Sequence, residues 1–163
     1  MFEKVIPVLH NVTSSQKVNE AAKLVYGLQF KNFVVTKAGG SAAQIGVPEA
    51  QKLALKMGRN FFYLSDLDDV IELFKPEKVL TIVPKKYTNT SLENVLDKMK
   101  KNSTIVVVFG GLEPGLSKVD MSKGIATYPP GIEENIGTIG LMAITLYILI
   151  TKYFAYYKSP CSR

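Results

Sequence analysis

Short unbroken apolar runs alternate along this chain with helical stripes, and that alternation restricts the fold more than any other feature. The runs are Val5–Leu9, Asn32–Thr36, Phe61–Leu64, Val79–Val83, Thr104–Phe109 and Ile125–Tyr128. Several are continuous rather than alternating, the mark of strands covered on both faces and hence of a mostly parallel sheet. Between them one spacing recurs: Val18, Ala21, Ala22, Val25; then Ala50, Leu53, Ala54, Met57; then Leu67, Val70, Ile71, Phe74; then Leu92, Val95, Leu96, Met99. Each set places one buried stripe on an amphipathic helix. Pro48 suits a first helical turn, and the spacings Ser65–Asp68 and Thr90–Glu93 suit an N-cap and its third helical residue. The order predicts an α/β fold: a mostly parallel sheet of about six strands with helices on both faces, closed by a long C-terminal helix.

A length of 163 residues suits one domain with a full core, assigned here to residues 1–157, with 158–163 as a flexible tail. The single cysteine, Cys161, lies in that tail, so no internal disulfide or cysteine metal cluster is available, which fits a reducing cytoplasm. The first residues lack the apolar core of a signal peptide. The uncharged stretch from Ile136 to Thr151 is sixteen residues long, short of the roughly 20 a bilayer requires. It reads as a buried or interface helix rather than a membrane span.

In a parallel sheet the residues after each strand share one edge, where open α/β sheets bind ligands. Those residues are His10, Asn11 and Thr13; Lys37, Gly39, Gly40 and Ser41; Ser65 and Asp66; Pro84, Lys85 and Lys86; Gly110, Gly111 and Glu113; and Pro129, Pro130 and Gly131. His10, the only histidine, titrates near neutrality. It is either a general base or a hydrogen-bonded turn histidine. Lys37, Lys85 and Lys86 are the edge cations suited to phosphate contact. The net charge is +6, with +5 of it in residues 1–60. That balance suits a polyanionic partner or a lysine-rich solvated surface.

The last third is the most distinctive. IVVVFGGLEPGLS leads through a short loop into ATYPPGIEENIGTIGLMAITLYILI. The run Gly111-Leu112-Glu113-Pro114-Gly115-Leu116-Ser117 resembles the G-P-E-G-G-F-S type of motif in the SPOUT, or α/β-knot, methyltransferases. Asn135-Ile136, followed by Gly137, Thr138 and Gly140, is similar to the S-L-N-V run that opens that family's last helix. The likeness is good over residues 104–150 and loose over 1–40.

The resemblance implies a C-terminal trefoil knot, S-adenosylmethionine as cofactor and RNA as substrate. It also implies a homodimer formed through the last helix. On that reading Gly110, Gly111, Glu113, Gly115, Ile132, Asn135 and Ile136 hold the cofactor. His10 and Asn11 orient the methyl acceptor, and Lys37, Lys85 and Lys86 meet RNA phosphates. No metal is called for. The family's ribose methylases carry an arginine on the first helix where alignment on Gly27 puts Ala21, and Glu133 replaces the serine of S-L-N-V. The second reading is a knot protein that binds RNA or a nucleotide without reacting. The third is a metal-dependent nuclease, since the chain also resembles an archaeal family labelled RecB-like. Such nucleases hold a metal with clustered carboxylates and an E-x-K step, and no E-x-K occurs in this sequence.

Overall fold

A computed structural model describes residues 1–100 and 102–154. The tail and Cys161 lie outside the described residues. Six strands, β1 (Val5–Val12), β2 (Asn32–Ala38), β3 (Asn60–Leu64), β4 (Lys78–Ile82), β5 (Ile105–Gly110) and β6 (Ile125–Thr127), form one sheet in the order β3-β2-β1-β5-β4-β6. All its strand pairs are parallel.

The apolar runs become strands because both faces are covered. Val5, Leu9, Val35, Leu80, Ile105, Val107 and Phe109 point to one face. There they meet α1 (Ser15–Gly27), α2 (Val47–Met57), α4 (Leu92–Asp97) and α6 (Thr138–Ile148). Ile6, Val8, Val34, Val106 and Val108 point to the other, under α3 (Leu67–Phe74) and the short α5 (Lys118–Met121). That arrangement follows from right-handed crossovers. Connections running from β1 out to β3, and from β4 back to β5, lie on one face; those running the opposite way, from β3 to β4 and β5 to β6, lie on the other.

Two expected helix starts move by one residue. Asp66, not Ser65, caps α3 and shares a capping box with Asp69. Ser91, not Thr90, caps α4, its hydroxyl accepting from the Asn94 amide. In both places polar residues are adjacent, and the cap falls to the one next to the first helical φ/ψ pair. The Pro48 start holds. Helix α5, at four residues, and a wide turn over Ala42–Gly46 are too short to leave a periodic signal. No helix among the described residues is long and apolar enough to cross a membrane.

The chain leaves β1 toward one face and β5 toward the other, and these two strands are neighbours. A crevice therefore opens at their carboxyl ends, the topological switch point of the sheet.

Candidate functional site

Three segments meet at this crevice. Strand β1 continues three residues beyond the expected Leu9, so His10 lies within it rather than in a turn. It sits opposite Thr36 of β2 and Gly110 of β5. Alternation places His10 on the same face as Ile6 and Val8, at the end of that buried row. Only 1% of the residue is exposed. Its Nδ1 is 2.7 Å from the Thr36 hydroxyl. Its Nε2 faces the Asp120 carboxylate of α5 at 3.3 Å but is not aligned with it as a hydrogen bond. Asp66, at the N-cap of α3, completes the group: one donor atom from each of His10, Asp66 and Asp120 lies within 4.8 Å of the others. Asp66 is exposed and Asp120 half-buried, so the group is closed beneath by the sheet and open to solvent above.

Burial pushes the His10 imidazole below its ordinary pKa. The Asp120 and Asp66 carboxylates pull it upward, and Lys37 adds a smaller downward push. Desolvation prevails because the ring is enclosed while the carboxylates stay partly hydrated. The imidazole is therefore neutral at neutral pH and keeps one nitrogen lone pair.

Asn11 and Lys37 directly follow His10 and Thr36 on adjacent strands, and both have positive φ, 61° and 50°. For lysine this conformation costs about 1–2 kcal/mol. The two neighbouring strands share this irregularity just past the His10–Thr36 pair and pair again at Val12 and Ala38, the kind of strain that concentrates at functional sites.

The double glycine is required by close approach. A Cβ at Gly110 would meet the Gly115 carbonyl carbon at 2.8 Å, and one at Gly111 would meet the Asn11 carbonyl oxygen at 2.7 Å. The loop after β5 thus folds back on itself and onto the end of β1. The Lys17 ammonium donates to the Gly111 carbonyl at 2.9 Å.

Beyond that loop a second feature opens, a cavity of about 380 Å³ at the ends of β4, β5 and β6. Gly110, Glu113, Gly115, Ile132, Asn135 and Ile136 line it, whereas Gly111 does not. The Asn135 amide donates to Glu113, and its oxygen accepts from the Gly137 amide at 2.8 Å. The Thr138 hydroxyl donates to the Gly110 carbonyl at 3.0 Å. The structure thus joins the two sequence stretches that were read together.

The three candidate lysines divide between the two features. Lys37 is exposed at the end of β2, near enough to His10 to act on its charge. Lys85 and Lys86 border the cavity. Lys85 pairs with Glu133 at 3.7 Å and lies 5.9 Å from the centre of the Tyr128 ring, while Lys86 lies 5.1 Å from that of Tyr87.

Sequence reasoning found His10 but assigned no role to Thr36, Asp66 or Asp120. Signals exist for two of them: Asp66 follows the third strand and so falls on the same sheet edge as His10, and Thr36 is a polar residue closing an apolar strand, at a position two beyond Val34. Asp120 carries none, because Ser117-x-x-Asp120 reads as an ordinary helix cap, and Ser117 does cap α5.

Comparison with known proteins separates fold from family. A family model described as RecB-family nuclease (DUF2122) matches residues 40–148. A candidate type II restriction enzyme of Aeropyrum pernix is 41% identical over 147 residues, covering 90% of this chain and 93% of its own length. Another, of Methanocaldococcus jannaschii, is 37% identical over 151 residues, covering 93% and 99%. Among solved structures, a candidate methylase-family protein of Haemophilus influenzae superposes with a TM-score of 0.75 at 14% identity, over all of this chain and 72% of that one. The SpoU methyltransferase AviRb of Streptomyces viridochromogenes gives 0.71 at 10% identity, over 93% and 60%.

The six-stranded α/β architecture is therefore the one found in SpoU-type methyltransferases, as the resemblance implied. The activity is not carried with it, because one fold hosts unrelated chemistries. The nuclease family match and the two full-length relatives overturn the methyltransferase reading, and with it S-adenosylmethionine as the cofactor.

Proposed function

The chain belongs to the family described as RecB-family nuclease (DUF2122), and from that premise we propose that it hydrolyses phosphodiester bonds in double-stranded DNA. The observation that carries the reading is the convergence of His10, Asp66 and Asp120 at the switch point, with the Lys37 cation beside them. The near full-length likeness to two candidate restriction enzymes favours DNA over the RNA that the methyltransferase resemblance implied.

Hydrolysis of a phosphodiester needs a water turned toward phosphorus, a place for its proton, and positive charge where the phosphoryl oxygens gain negative charge. The Asp66 and Asp120 carboxylates accept hydrogen bonds from such a water, the proton it loses passes to solvent beside the exposed Asp66, and solvent returns a proton to the departing alkoxide. Lys37 faces the phosphoryl oxygens. His10, held at Nδ1 by Thr36 and packed into the sheet, closes the floor of the group, while the Ser117 hydroxyl holds Asp120. Lys85 and Lys86 follow the strand further along the edge as screened phosphate contacts, which position without reading sequence. His10, Asp66 and Asp120 would hold a divalent metal, which would supply positive charge for the phosphoryl oxygens and make a nearby water more acidic.

The test is incubation of supercoiled plasmid with the purified chain in Mg²⁺ or Mn²⁺, alongside an RNA of equal length. Nicked and linear plasmid is expected, with Lys37→Met slowing its appearance by about tenfold, the scale of one phosphate-facing charge. Intact plasmid at stoichiometric protein, or cleavage confined to RNA, sinks the reading.

The outer face of α6 supports the homodimer as a further part of this proposal. Ile144 and Tyr147 are 38% and 60% exposed on a helix without a charge over Thr138–Ile148, and Ile136, just before it, is 45% exposed. Two copies related by a two-fold axis through this face would present a centre to each DNA strand. Sedimentation equilibrium is expected to give the mass of two chains, and Tyr147→Glu the mass of one. A wild-type monomer at tens of micromolar removes the dimer.

A further inference from the structure

We infer that His10, Asp66 and Asp120 form a built divalent-cation site, selective for the Mn²⁺ class over Ca²⁺. This deepens the nuclease reading by naming the cofactor class of its site.

Carboxylates that crowd together are common without an ion, so proximity alone carries little. The decisive group is His10. Its Nε2 is buried, makes no aligned hydrogen bond, and faces the Asp120 oxygen at 3.3 Å. A buried polar nitrogen without an aligned partner is unfavourable, and the residue is 1% exposed. An ion bound on the open side of the ring satisfies the Nε2 and both carboxylates at once.

The donor set is dimensionally suitable. Metal–nitrogen and metal–oxygen bonds of roughly 2.0–2.2 Å allow ligand atoms to stand up to about 4.4 Å apart across one ion. The three donors here already lie within 4.8 Å, so small rotations of the two aspartates suffice. The supporting shell is present as well. Thr36 holds Nδ1 at 2.7 Å and fixes the ring, the role that outer partners play for ligating histidines. The Ser117 hydroxyl donates to Asp120 Oδ2 at 2.9 Å. The Leu67 amide donates to Asp66 Oδ1 at 2.7 Å, and the capping box with Asp69 holds that carboxylate at the start of α3. The three ligands come from β1, the start of α3, and α5, all packed on one face of the sheet.

One imidazole and two carboxylates make a mixed nitrogen–oxygen set. Imidazole excludes a preference for Ca²⁺, and the carboxylates suit Mn²⁺ and Mg²⁺. The exposed side above Asp66 leaves positions for water, as catalytic rather than structural sites require.

The experiment is a titration of the full chain with MnCl₂ alone, without nucleic acid, following loss of the free-ion electron paramagnetic resonance signal. One ion per chain is expected. Asp66→Asn, which keeps a good N-cap, should weaken binding at least tenfold, and Asp66→Asn/Asp120→Asn should abolish saturable binding. Glu133→Gln/Glu134→Gln, at the rim of the neighbouring cavity, should leave the affinity unchanged. Excess Ca²⁺ should not displace the ion. No saturable binding at millimolar Mn²⁺, affinity unaltered in the double aspartate variant, or displacement by Ca²⁺ overturns the assignment. Failure here is separable from failure of the nuclease reading. An ion bound at this cluster with no DNA cleavage removes only the nuclease, and cleavage that survives in the double variant removes only the site.

Discussion

Asp66→Asn/Asp120→Asn is expected to lower the rate of plasmid cleavage by about 10²–10³-fold, the range found when a group aimed at developing charge is removed from an active site. Both changes are nearly isosteric, so the fold should survive them. Asn at position 66 still accepts from the Leu67 amide and costs only the interaction of a carboxylate with the helix N-terminus, about 0.3–1 kcal/mol. Asn at position 120 still accepts from Ser117. Beside it, the neutral His10 loses no ion pair, because burial keeps the ring uncharged. The measurement is the initial rate of supercoil loss, with a circular-dichroism melt of each preparation. A double variant that cleaves within threefold of the wild type, at an unchanged melting temperature, would place the chemistry elsewhere. The rim of the cavity around Glu113 and Glu133 would then be the next place to look.

This expectation depends on residues that the sequence left scattered. The strands were readable because their apolar runs are continuous, and a run covered on both faces has no competing helical period. The helical stripes were readable for the converse reason. Strand order was not, since nothing in β4 or β5 states that β5 returns to lie beside β1. Without that order the edge shared by His10 and Asp66 has no defined neighbours, and Thr36, Asp66 and Asp120 each sit in a local context that explains them fully: a strand end, a helix N-cap, and the third residue of a helix capped by Ser117. The glycine-rich loop misled in a different way. Gly110 and Gly111 are needed because the loop after β5 packs against its own return and against β1. That is a demand of this fold, whatever reaction it carries. The motif was therefore sound evidence for architecture and no evidence for methyl transfer.

The same packing makes Phe109 the residue on which the site's scaffold most depends, and Phe109→Ala is expected to destabilise the chain by about 3–5 kcal/mol. The side chain is fully buried on the face covered by α1, α2, α4 and α6. Its strand lies between β1 and β4, so the sheet cannot shift to fill the space left behind. Phe109 stands beside Leu9 and directly before Gly110, whose carbonyl receives the Thr138 hydroxyl. A cavity there loosens the tie between β5 and α6 as well as the core. Urea unfolding should show a lower midpoint with little change in slope, the signature of lost stability without a changed denatured state. Phe62→Ala is the internal control. Phe62 is only partly buried, on the edge strand β3, where it packs edge-on against Phe74. Its loss should cost less than half as much, because solvent and a flexible edge can close over it. Equal costs at the two positions would mean that the sheet centre relaxes as freely as its edge. The close-packed switch point that holds His10 in place would then not be rigid enough to preorganise the site.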